Sequence, residues 1–441
     1  MYSAIRNQVS GGTFVLYCLF LADFFLHSSA RIRALEVLRP TLLLAVLITI
    51  SLVFQKDKLR GRFDYPAAER LKALLIYLVL SLPLVSWPGS ALNNADNFIK
   101  ALVFFYFTVA CVDSPERFRK VVLLFMALQT FRVLEPLYLN ITEGYWGSRT
   151  YLGSDDGFAQ RLAGAPADVI NSNELGFVIA TVIPFLHYYM FKSPRKLAKI
   201  LYLVLLPALL YALILTMSRG AFLALLVVAF FVFRESRQKA RMLALVMIGA
   251  VVAWSVMTPV QKDRYLSLVS SEAKQSHTVE GRLNGIIQEF ELAMTRPIFG
   301  HGLGTTAEAK YHTFGKRQAS HTLYAELIIE MGLIGAILFI RYLLALYQQL
   351  QATRALPDPG QAYLRRMPQV FQAVFWMYVV YSSNYWGLSQ YYWYFFGGLI
   401  LAYANVVQNQ VTGKSQNAEE ADNRAGKRLQ LALPFREAKR T

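Results

Sequence analysis

The chain has 441 residues, of which 55% are hydrophobic and 14% aromatic, while only 17% are charged. This composition is too apolar for an ordinary soluble protein, and the apolar runs are continuous rather than alternating, so we expect an all-α membrane protein. The net charge of +17 does not indicate nucleic-acid binding, because basic residues collect in cytoplasmic loops and at anionic lipid headgroups.

Apolar runs bounded by charged and turn residues predict twelve spanning helices in a single transmembrane domain over residues 1–406. The first is expected to serve as an uncleaved signal, because no cleavage site follows a basic leader. The polar residues 407–441 predict a disordered cytoplasmic tail. The predicted limits are 12–28, 38–54, 70–88, 97–112, 118–141, 169–191, 197–217, 219–233, 241–258, 321–347, 368–386 and 388–406.

The distribution of Lys and Arg predicts how the chain crosses the membrane. Alternate loops hold 21 of these residues, whereas the short loops between them hold 4. Basic loops stay in the cytoplasm, so both termini are expected there and the long loops 142–168 and 259–320 are expected on the outer side. Long ordered loops are usually functional, which makes these two the candidate active-site segments.

The second outer loop contains an amphipathic pattern that predicts a helix lying against the spans or the membrane surface. The apolar positions of this stripe are Leu283, Ile286, Ile287 and Phe290. The helix is expected to end before Pro297, because the residue preceding a proline avoids the helical region. It is expected to begin at Gly281 and Arg282, where free amides and the helix dipole favour an anion.

Four arginines are candidate ligands for an anionic substrate. Arg219 lies in a very short break between two spans. Ionisable residues at that depth are often functional, although an arginine can also snorkel to the interface. Arg282 suits bidentate capture of a phosphate, but it also fits a solvated arginine at a helix end. Arg149 and Arg161, in the first outer loop, are weaker candidates for the same ligand.

Histidines concentrate in the second outer loop and at its exit. His321, at the first turn of a span, is the candidate catalytic residue, because a neutral imidazole can accept a proton near working pH. Surface positions are expected for the other histidines of this region, which are His277, His301 and His312.

The sequence predicts no metal site and no cofactor. Asp155 and Asp156 fit an ordinary turn at least as well as a metal site, and no other local spacing supports a metal. The glycines at 300–304 lack the strand context of a dinucleotide loop, so they indicate only tight backbone turning. Cys18 and Cys111 both lie within apolar runs, which predicts no disulfide framework.

Three segments carry a family resemblance: SRGAFLALL at 218–226, GRLNGIIQEFELAMTRPIFGHGLG at 281–304 and SHTLYAELIIEMGLIG at 320–335. In order and spacing they resemble the O-antigen ligase and O-antigen polymerase superfamily of bacterial envelope glycosyltransferases. The resemblance implies a C-type glycosyltransferase fold in the bacterial inner membrane with a periplasmic active site. It also implies an inverting transfer that uses neither a metal nor a nucleotide sugar.

The resemblance implies roles for three residues that match these segments. Arg219 and Arg282 would hold the diphosphate of a glycan linked to undecaprenyl diphosphate and stabilise the diphosphate as it leaves. His321 would take the proton from the acceptor hydroxyl or orient that hydroxyl. Thr322 departs from the family pattern, because many members have Asn there, and it receives no role.

The resemblance leaves several acceptors open. We favour a ligase that uses the lipid A-core, because Lys310, Lys316 and Arg317 suit a phosphorylated lipid, as do the basic residues of loop 28–39. A polymerase would instead lengthen the glycan on its lipid carrier, and a protein O-oligosaccharyltransferase would use a Ser or Thr hydroxyl.

Twelve helices with cytoplasmic termini also fit a protein of a different class, a polysaccharide-lipid flippase. A flippase would need its polar residues near the middle of the membrane, whereas this sequence concentrates them in one outer loop. That distribution favours an enzyme. The expected partners are the lipid-linked donor, the lipid A-core and membrane lipids, with no nucleic acid, and the expected state is a monomer.

Overall fold

The computed structural model describes residues 8–153, 157–267, 276–385 and 387–432. The described part of the chain is predominantly helical, which confirms the all-α polytopic membrane fold. A helix occurs at each predicted span. The bounds of these helices are Gly11–Leu26, Pro40–Val53, Pro66–Ser81, Pro88–Cys111, Pro115–Glu143, Ser172–Leu186, Lys196–Thr216, Arg219–Glu235, Lys239–Val256, Leu323–Arg354, Met367–Tyr381 and Tyr391–Ala432.

The spanning helices differ in how deeply they are packed. Five helical segments within the described residues have both the length and the hydropathy to cross a membrane. In Ser172–Phe191, 78% of the most apolar stretch is buried inside the protein, whereas in Lys239–Val256 none of it is. The first therefore lies inside the bundle, and the second stands at its edge with its apolar side chains directed outward. The other three are Pro115–Glu143, Lys196–Thr216 and Leu323–Arg354.

Hydrogen bonds connect the predicted outer loops to one another at one end of the bundle. The backbone N–H of Trp87 donates to the carbonyl of His301 over 3.1 Å, and that of Leu323 donates to the carbonyl of Ser382 over 2.9 Å.

His301, at this end of the bundle, was predicted to be a surface residue, but it is only 7% exposed. Its ring stacks on Trp87 with the centroids 5.0 Å apart, so the prediction that His301 is a surface residue is wrong.

At the opposite end, segments predicted to be cytoplasmic meet around Asp113. This carboxylate accepts from the backbone N–H of Val9 over 2.8 Å and from the guanidinium groups of Arg62 and Arg117 over 3.0 and 3.1 Å. The hydroxyl of Tyr363 also donates to the carbonyl of Pro115 over 2.6 Å. The bundle therefore sorts its loops to two ends as the alternation of basic and non-basic loops predicts.

Three helices fill the second outer loop: Pro259–Leu266, Ser276–Met294 and Thr306–Phe314. The prediction that Arg282 stands at a helix N-terminus is wrong, because the helix already includes the six residues that precede it. The predicted stripe also faces away from the protein, with Leu283 and Ile287 each 56% exposed.

The helix Leu323–Arg354 is interrupted at Gly332, whose φ of 64° and ψ of −175° are not helical. The segment after Pro297 fills the break: the N–H of Leu333 donates to the carbonyl of Pro297, and the N–H of His301 donates to the carbonyl of Ile329, both over 2.7 Å. A Cβ on Gly332 would lie 2.1 Å from the carbonyl oxygen of Ile298. Both the backbone conformation and this close approach therefore require glycine.

The first outer loop contains the strands Gly147–Gly153 and Gly157–Leu162, which pair antiparallel. This hairpin was not predicted from the sequence. Asp155 and Asp156, at the predicted turn, lie outside the described residues.

The last helix continues to Ala432. Residues 407–432, which were predicted to be disordered, are therefore helical. Residues 433–441 lie outside the described residues.

Short helical segments complete the described chain. Five 3₁₀ or single-turn elements and one π-helical turn connect or extend the spans. They are Ser28–Arg31, Arg33–Glu36, Lys56–Leu59, Leu82–Leu84, Leu364–Arg366 and His187–Phe191.

Candidate active site

The turn between the helices Lys196–Thr216 and Arg219–Glu235 organises a group of arginines. Met217 adopts a left-handed conformation with φ of 51°, which few residues other than glycine, asparagine and aspartate adopt readily. Ser218 caps the second helix by accepting from the N–H of Ala221. The turn thereby exposes backbone carbonyls on one side and starts the next helix with Arg219.

Two arginines from the outer loops bind these carbonyls. Arg161, on the second strand of the hairpin, donates from Nε to the carbonyl of Thr216 over 2.8 Å and from Nη2 to Oδ1 of Asn173 over 2.8 Å. Arg264, in the helix Pro259–Leu266, donates from Nε to the carbonyl of Met217 over 2.7 Å. The turn therefore gathers both outer loops around Arg219.

Ser267 joins Arg219 to the neighbouring helix. Its hydroxyl accepts from Nη1 of Arg219 over 2.8 Å and donates to the carbonyl of Arg264 over 2.8 Å. Arg282, from the helix Ser276–Met294, is partly buried, and its guanidinium makes no hydrogen bond or ion pair with the rest of the described chain. We refer to Arg161, Arg219, Arg264 and Arg282 as the arginine cluster.

The electrostatics of the arginine cluster favour an anion. Burial, followed by repulsion from Arg282 and Arg219, lowers the pKa of Arg161 to about 10. Burial and repulsion from the other three members lower the pKa of Arg264 to about 9. Burial also lowers the pKa of Arg282. These side chains remain charged near neutral pH, and a bound diphosphate would relieve their mutual repulsion.

His321 forms a second group with Glu289. Its Nδ1 lies 2.6 Å from Oε1 of Glu289, whose side chain is fully buried. A carboxylate can only accept, so Nδ1 carries the hydrogen, and in the neutral imidazole Nε2 is then the proton acceptor. In agreement with this assignment, Nε2 of Gln318 lies 3.4 Å from Nε2 of His321 and can donate to it.

Glu289 is held in its charged form by its surroundings. Burial alone would raise its pKa, but hydrogen bonds from His321, Lys310 and Ser320 bring the pKa below its ordinary value. The ammonium of Lys310 lies 2.8 Å from Oε1, and the hydroxyl of Ser320 donates to Oε2 over 2.7 Å. The backbone N–H of His321 also donates to this carboxylate. Glu289 therefore fixes both the position and the tautomer of His321.

One helix carries both groups. Arg282 and Glu289 are seven residues apart in Ser276–Met294, which is about 10 Å along the axis. The ring of His321 lies against Gly285 between them, because a Cβ built on Gly285 would be 2.9 Å from Cε1 of that ring. A proton acceptor thus lies about one helical turn from an arginine that has no partner in the described chain.

The remaining predicted site residues do not join these two groups. Arg149 is exposed on the hairpin, in a shallow hollow with Trp146 and Gln160. Lys316 and Arg317 are exposed, and the guanidinium of Arg317 lies 5.4 Å from the ring centroid of Tyr311.

Lys310 differs from the predicted surface cations. It is only 6% exposed, and its ammonium is bound by Glu289 and by the carbonyl of Ala319. A buried, paired ammonium is poorly placed to meet an acceptor lipid. We therefore propose that Lys310 acts on Glu289 rather than on the acceptor.

Sequence reasoning did not identify Arg264 or Glu289. Arg264 could not be distinguished from Lys262 beside it, because only the fold directs one of them to Met217. Glu289 did have a signal: it follows Arg282 by seven residues and so shares its helix face. This face adjoins the apolar stripe from which the helix was predicted, and the stripe gave no reason to single out Glu289.

Within the described residues, no group of three or more His, Cys, Asp or Glu side chains is arranged to hold a metal ion. The side chain of His277 lies outside the described residues. Among the described residues, the site presents a concentrated positive charge and an oriented imidazole.

A comparison with known families found a match, which includes most residues of the two groups. Residues 203–340 match the family described as O-antigen ligase, and this confirms the resemblance found in the three segments. The match includes Arg219, Arg264, Arg282, Glu289 and His321, while Arg161 lies before it. A comparison with curated proteins found no match.

Proposed function

We propose that this protein, whose residues 203–340 match the O-antigen ligase family, transfers an O-antigen glycan from undecaprenyl diphosphate to the lipid A-core. The family match supports a membrane glycosyltransferase of the ligase or polymerase type. The observation that carries the finer proposal is the arginine cluster beside the His321–Glu289 pair. The proposed site faces the periplasm from the inner membrane, with both termini in the cytoplasm.

In this proposal the arginine cluster binds the diphosphate of the donor. Arg282 offers a planar fork of donors that matches phosphate oxygens, and Arg219 and Arg264 supply further charge. As the bond between the anomeric carbon and the diphosphate oxygen breaks, the electron pair moves onto the diphosphate. Fixed positive charge stabilises that developing charge without reorganisation during the reaction.

His321 acts on the acceptor. Its Nε2 takes the proton from the acceptor hydroxyl while the hydroxyl oxygen forms the new bond to the anomeric carbon. Glu289 stabilises the imidazolium that results, because it holds Nδ1–H and keeps its negative charge. One direct displacement inverts the anomeric configuration, and undecaprenyl diphosphate is released. The chemistry requires no metal, so we expect a chelator to leave turnover unchanged.

The lipid A-core is favoured as acceptor by the exposed cations near the site. Lys316 and Arg317 are both exposed and follow the helix that carries Lys310, so they can meet phosphate groups at the membrane surface. Arg31, in the loop 28–39, is a weaker candidate than expected, because its guanidinium pairs with Glu135 over 2.5 Å.

Purified protein incubated with lipid-linked glycan and lipid A-core tests the proposal directly. The expected products are glycan-bearing lipid A-core and free undecaprenyl diphosphate. A longer glycan on the donor would indicate a polymerase, and glycan on Ser or Thr of an added protein would indicate an oligosaccharyltransferase. Movement of the intact donor across a vesicle membrane, with no transfer, would indicate a flippase.

Gly285→Ala should slow transfer by displacing His321. The added Cβ would lie 2.9 Å from Cε1 and 3.2 Å from Nε2 of the ring, so the ring must shift. Since a misplacement of about 1 Å can cost about 100-fold, we expect kcat to fall at least about tenfold with little change in donor KM.

Gly281→Ala is the matched control, because it lies on the same helix and its Cβ would meet nothing within 4 Å. Both substitutions favour the helix to the same degree. Equal kcat values for the two variants would show that the position of the His321 ring does not limit the reaction.

A further inference from the structure

We propose that a polar cavity beside the His321–Glu289 pair binds the saccharide of the acceptor through its hydroxyl groups. This proposal rests on the proposed transferase function. The cavity has a volume of about 450 Å³, which is within the range of small-molecule sites. It lies between the helices Gly11–Leu26 and Pro88–Cys111 on one side and residues 304–307 and 319–320 on the other.

Three carboxamide side chains contribute to the polar wall of the cavity. Asn94 and Asn97 project from successive turns of the helix Pro88–Cys111, and Gln390 reaches the cavity from the opposite side. Asn94 donates to the carbonyl of Gly304 over 3.0 Å, which leaves its amide oxygen available. The side-chain amides of Asn97 and Gln390 make no hydrogen bond with the rest of the described chain. Each amide both donates and accepts, as adjacent sugar hydroxyls require.

The charge of the cavity distinguishes it from the arginine cluster. Glu326 and Glu330 both line it, and each accepts hydrogen bonds from backbone N–H groups. Lys100 is the one cation among the described lining residues, and its ammonium pairs with Asp96 over 2.7 Å. The wall therefore offers no spare positive charge for a phosphate. It favours an uncharged, hydroxyl-rich ligand.

Aromatic side chains provide a complementary apolar surface. Phe24 and Phe104 line the cavity together with Tyr391, and the rings of Phe24 and Phe104 are 4.6 Å apart in an edge-to-face arrangement. A pyranose ring has an apolar face of C–H groups as well as an edge of hydroxyls. Aromatic carbons and free amides in one cavity match these two surfaces.

Ser320 connects the cavity to the His321–Glu289 pair. It lines the cavity, donates to Oε2 of Glu289 over 2.7 Å and directly precedes His321 in the chain. Arg282 precedes by three residues Gly285, the helix position against which the His321 ring lies. An acceptor hydroxyl can therefore approach His321 from the cavity while the donor diphosphate is held by the arginine cluster.

Substitution of the free amides tests the cavity. In Asn97→Ala and Gln390→Ala, the KM for lipid A-core should rise about fivefold for each lost hydrogen bond, and more in the double variant, while the donor KM stays unchanged. Asn93→Ala is the matched control, because Asn93 is exposed one turn earlier on the same helix and does not line the cavity. An unchanged acceptor KM in the double variant would overturn the proposal.

A direct binding measurement separates this proposal from the proposed function. The probe is core oligosaccharide without acyl chains or phosphates, detected by saturation-transfer NMR on the purified full chain. We expect binding to the wild-type protein and to Asn93→Ala, and weak binding to the double variant. Binding of this pattern without any glycan transfer would contradict the transferase proposal and support saccharide binding in the cavity. Glycan transfer without binding of the probe would support the transferase proposal and contradict saccharide binding in the cavity.

Discussion

His321→Ala should abolish most glycan transfer while leaving the donor site intact. Loss of a positioned general base lowers the rate by about 10²- to 10⁴-fold, and we expect kcat for transfer to fall by that amount. The imidazole does not belong to the arginine cluster, so binding of inorganic diphosphate should be unchanged. Initial rates with purified donor and lipid A-core, together with diphosphate titration, provide the measurement.

His312→Ala is the control for this experiment. His312 is exposed in the same outer loop and stacks on Trp87 with the ring centroids 5.3 Å apart, but it touches neither group of the site. We expect nearly full transfer from this variant. If His321→Ala still turns over at the wild-type rate while remaining folded, the proposed proton acceptor is wrong.

Glu289→Gln should reproduce much of the effect of His321→Ala, although Glu289 need not contact a substrate. A glutamine amide can donate to Nδ1 and so favour the tautomer in which Nε2 carries the hydrogen, and that tautomer cannot accept a proton. The substitution also leaves the buried ammonium of Lys310 without its charged partner, so the variant must first be shown to bind diphosphate. A lower kcat with a displaced pH profile would identify Glu289 as a positioning residue.

The spans were the most predictable part of the fold. About twenty consecutive apolar residues leave the backbone no alternative to a helix in lipid. The charges of the loops also predicted which loops lie together at each end of the bundle. Helix ends were less predictable. Gly281 suggested a helix start, yet the helix includes residues 276–280, because helix ends depend on capping and packing as much as on propensity.

The hairpin of the first outer loop has a local signal in the sequence. The predicted turn at 154–157 is flanked by residues that favour strands, such as Tyr151 and Phe158. Its importance could not be judged from sequence, however. Only the folded chain brings Arg161, on the second strand, to the carbonyl of Thr216.

In the candidate site, the local sequence identifies some residues, but the contacts between them depend on the fold. Arg219, Arg282 and His321 lie in segments whose local pattern identifies them. The contacts that orient them come from distant parts of the chain: Glu289 is 32 residues from His321, and Ser267 is 48 residues from Arg219. No local rule relates such pairs, since their proximity results from the packing of the outer loop onto the bundle.

Arg282→Ala should impair both donor binding and turnover. Its guanidinium makes no hydrogen bond or ion pair with the rest of the described chain, so in the proposed mechanism it is free to bind the diphosphate. Loss of one donor to a developing negative charge typically lowers kcat by about 10²- to 10³-fold. Arg282→Lys should recover only part of the loss, because lysine keeps the charge but not the bidentate fork.

Thermal unfolding in the presence of inorganic diphosphate measures diphosphate binding separately from turnover. At about 100 times its Kd, diphosphate should stabilise the wild-type protein by about 2.7 kcal/mol, and the effect should weaken as salt screens the charges. Gln288→Ala, on the exposed side of the same helix, should behave as wild type. If Arg282→Ala also retained the full stabilisation and turnover, Arg282 would not be a diphosphate ligand, and the remaining arginines, Arg161, Arg219 and Arg264, would have to hold the donor without it.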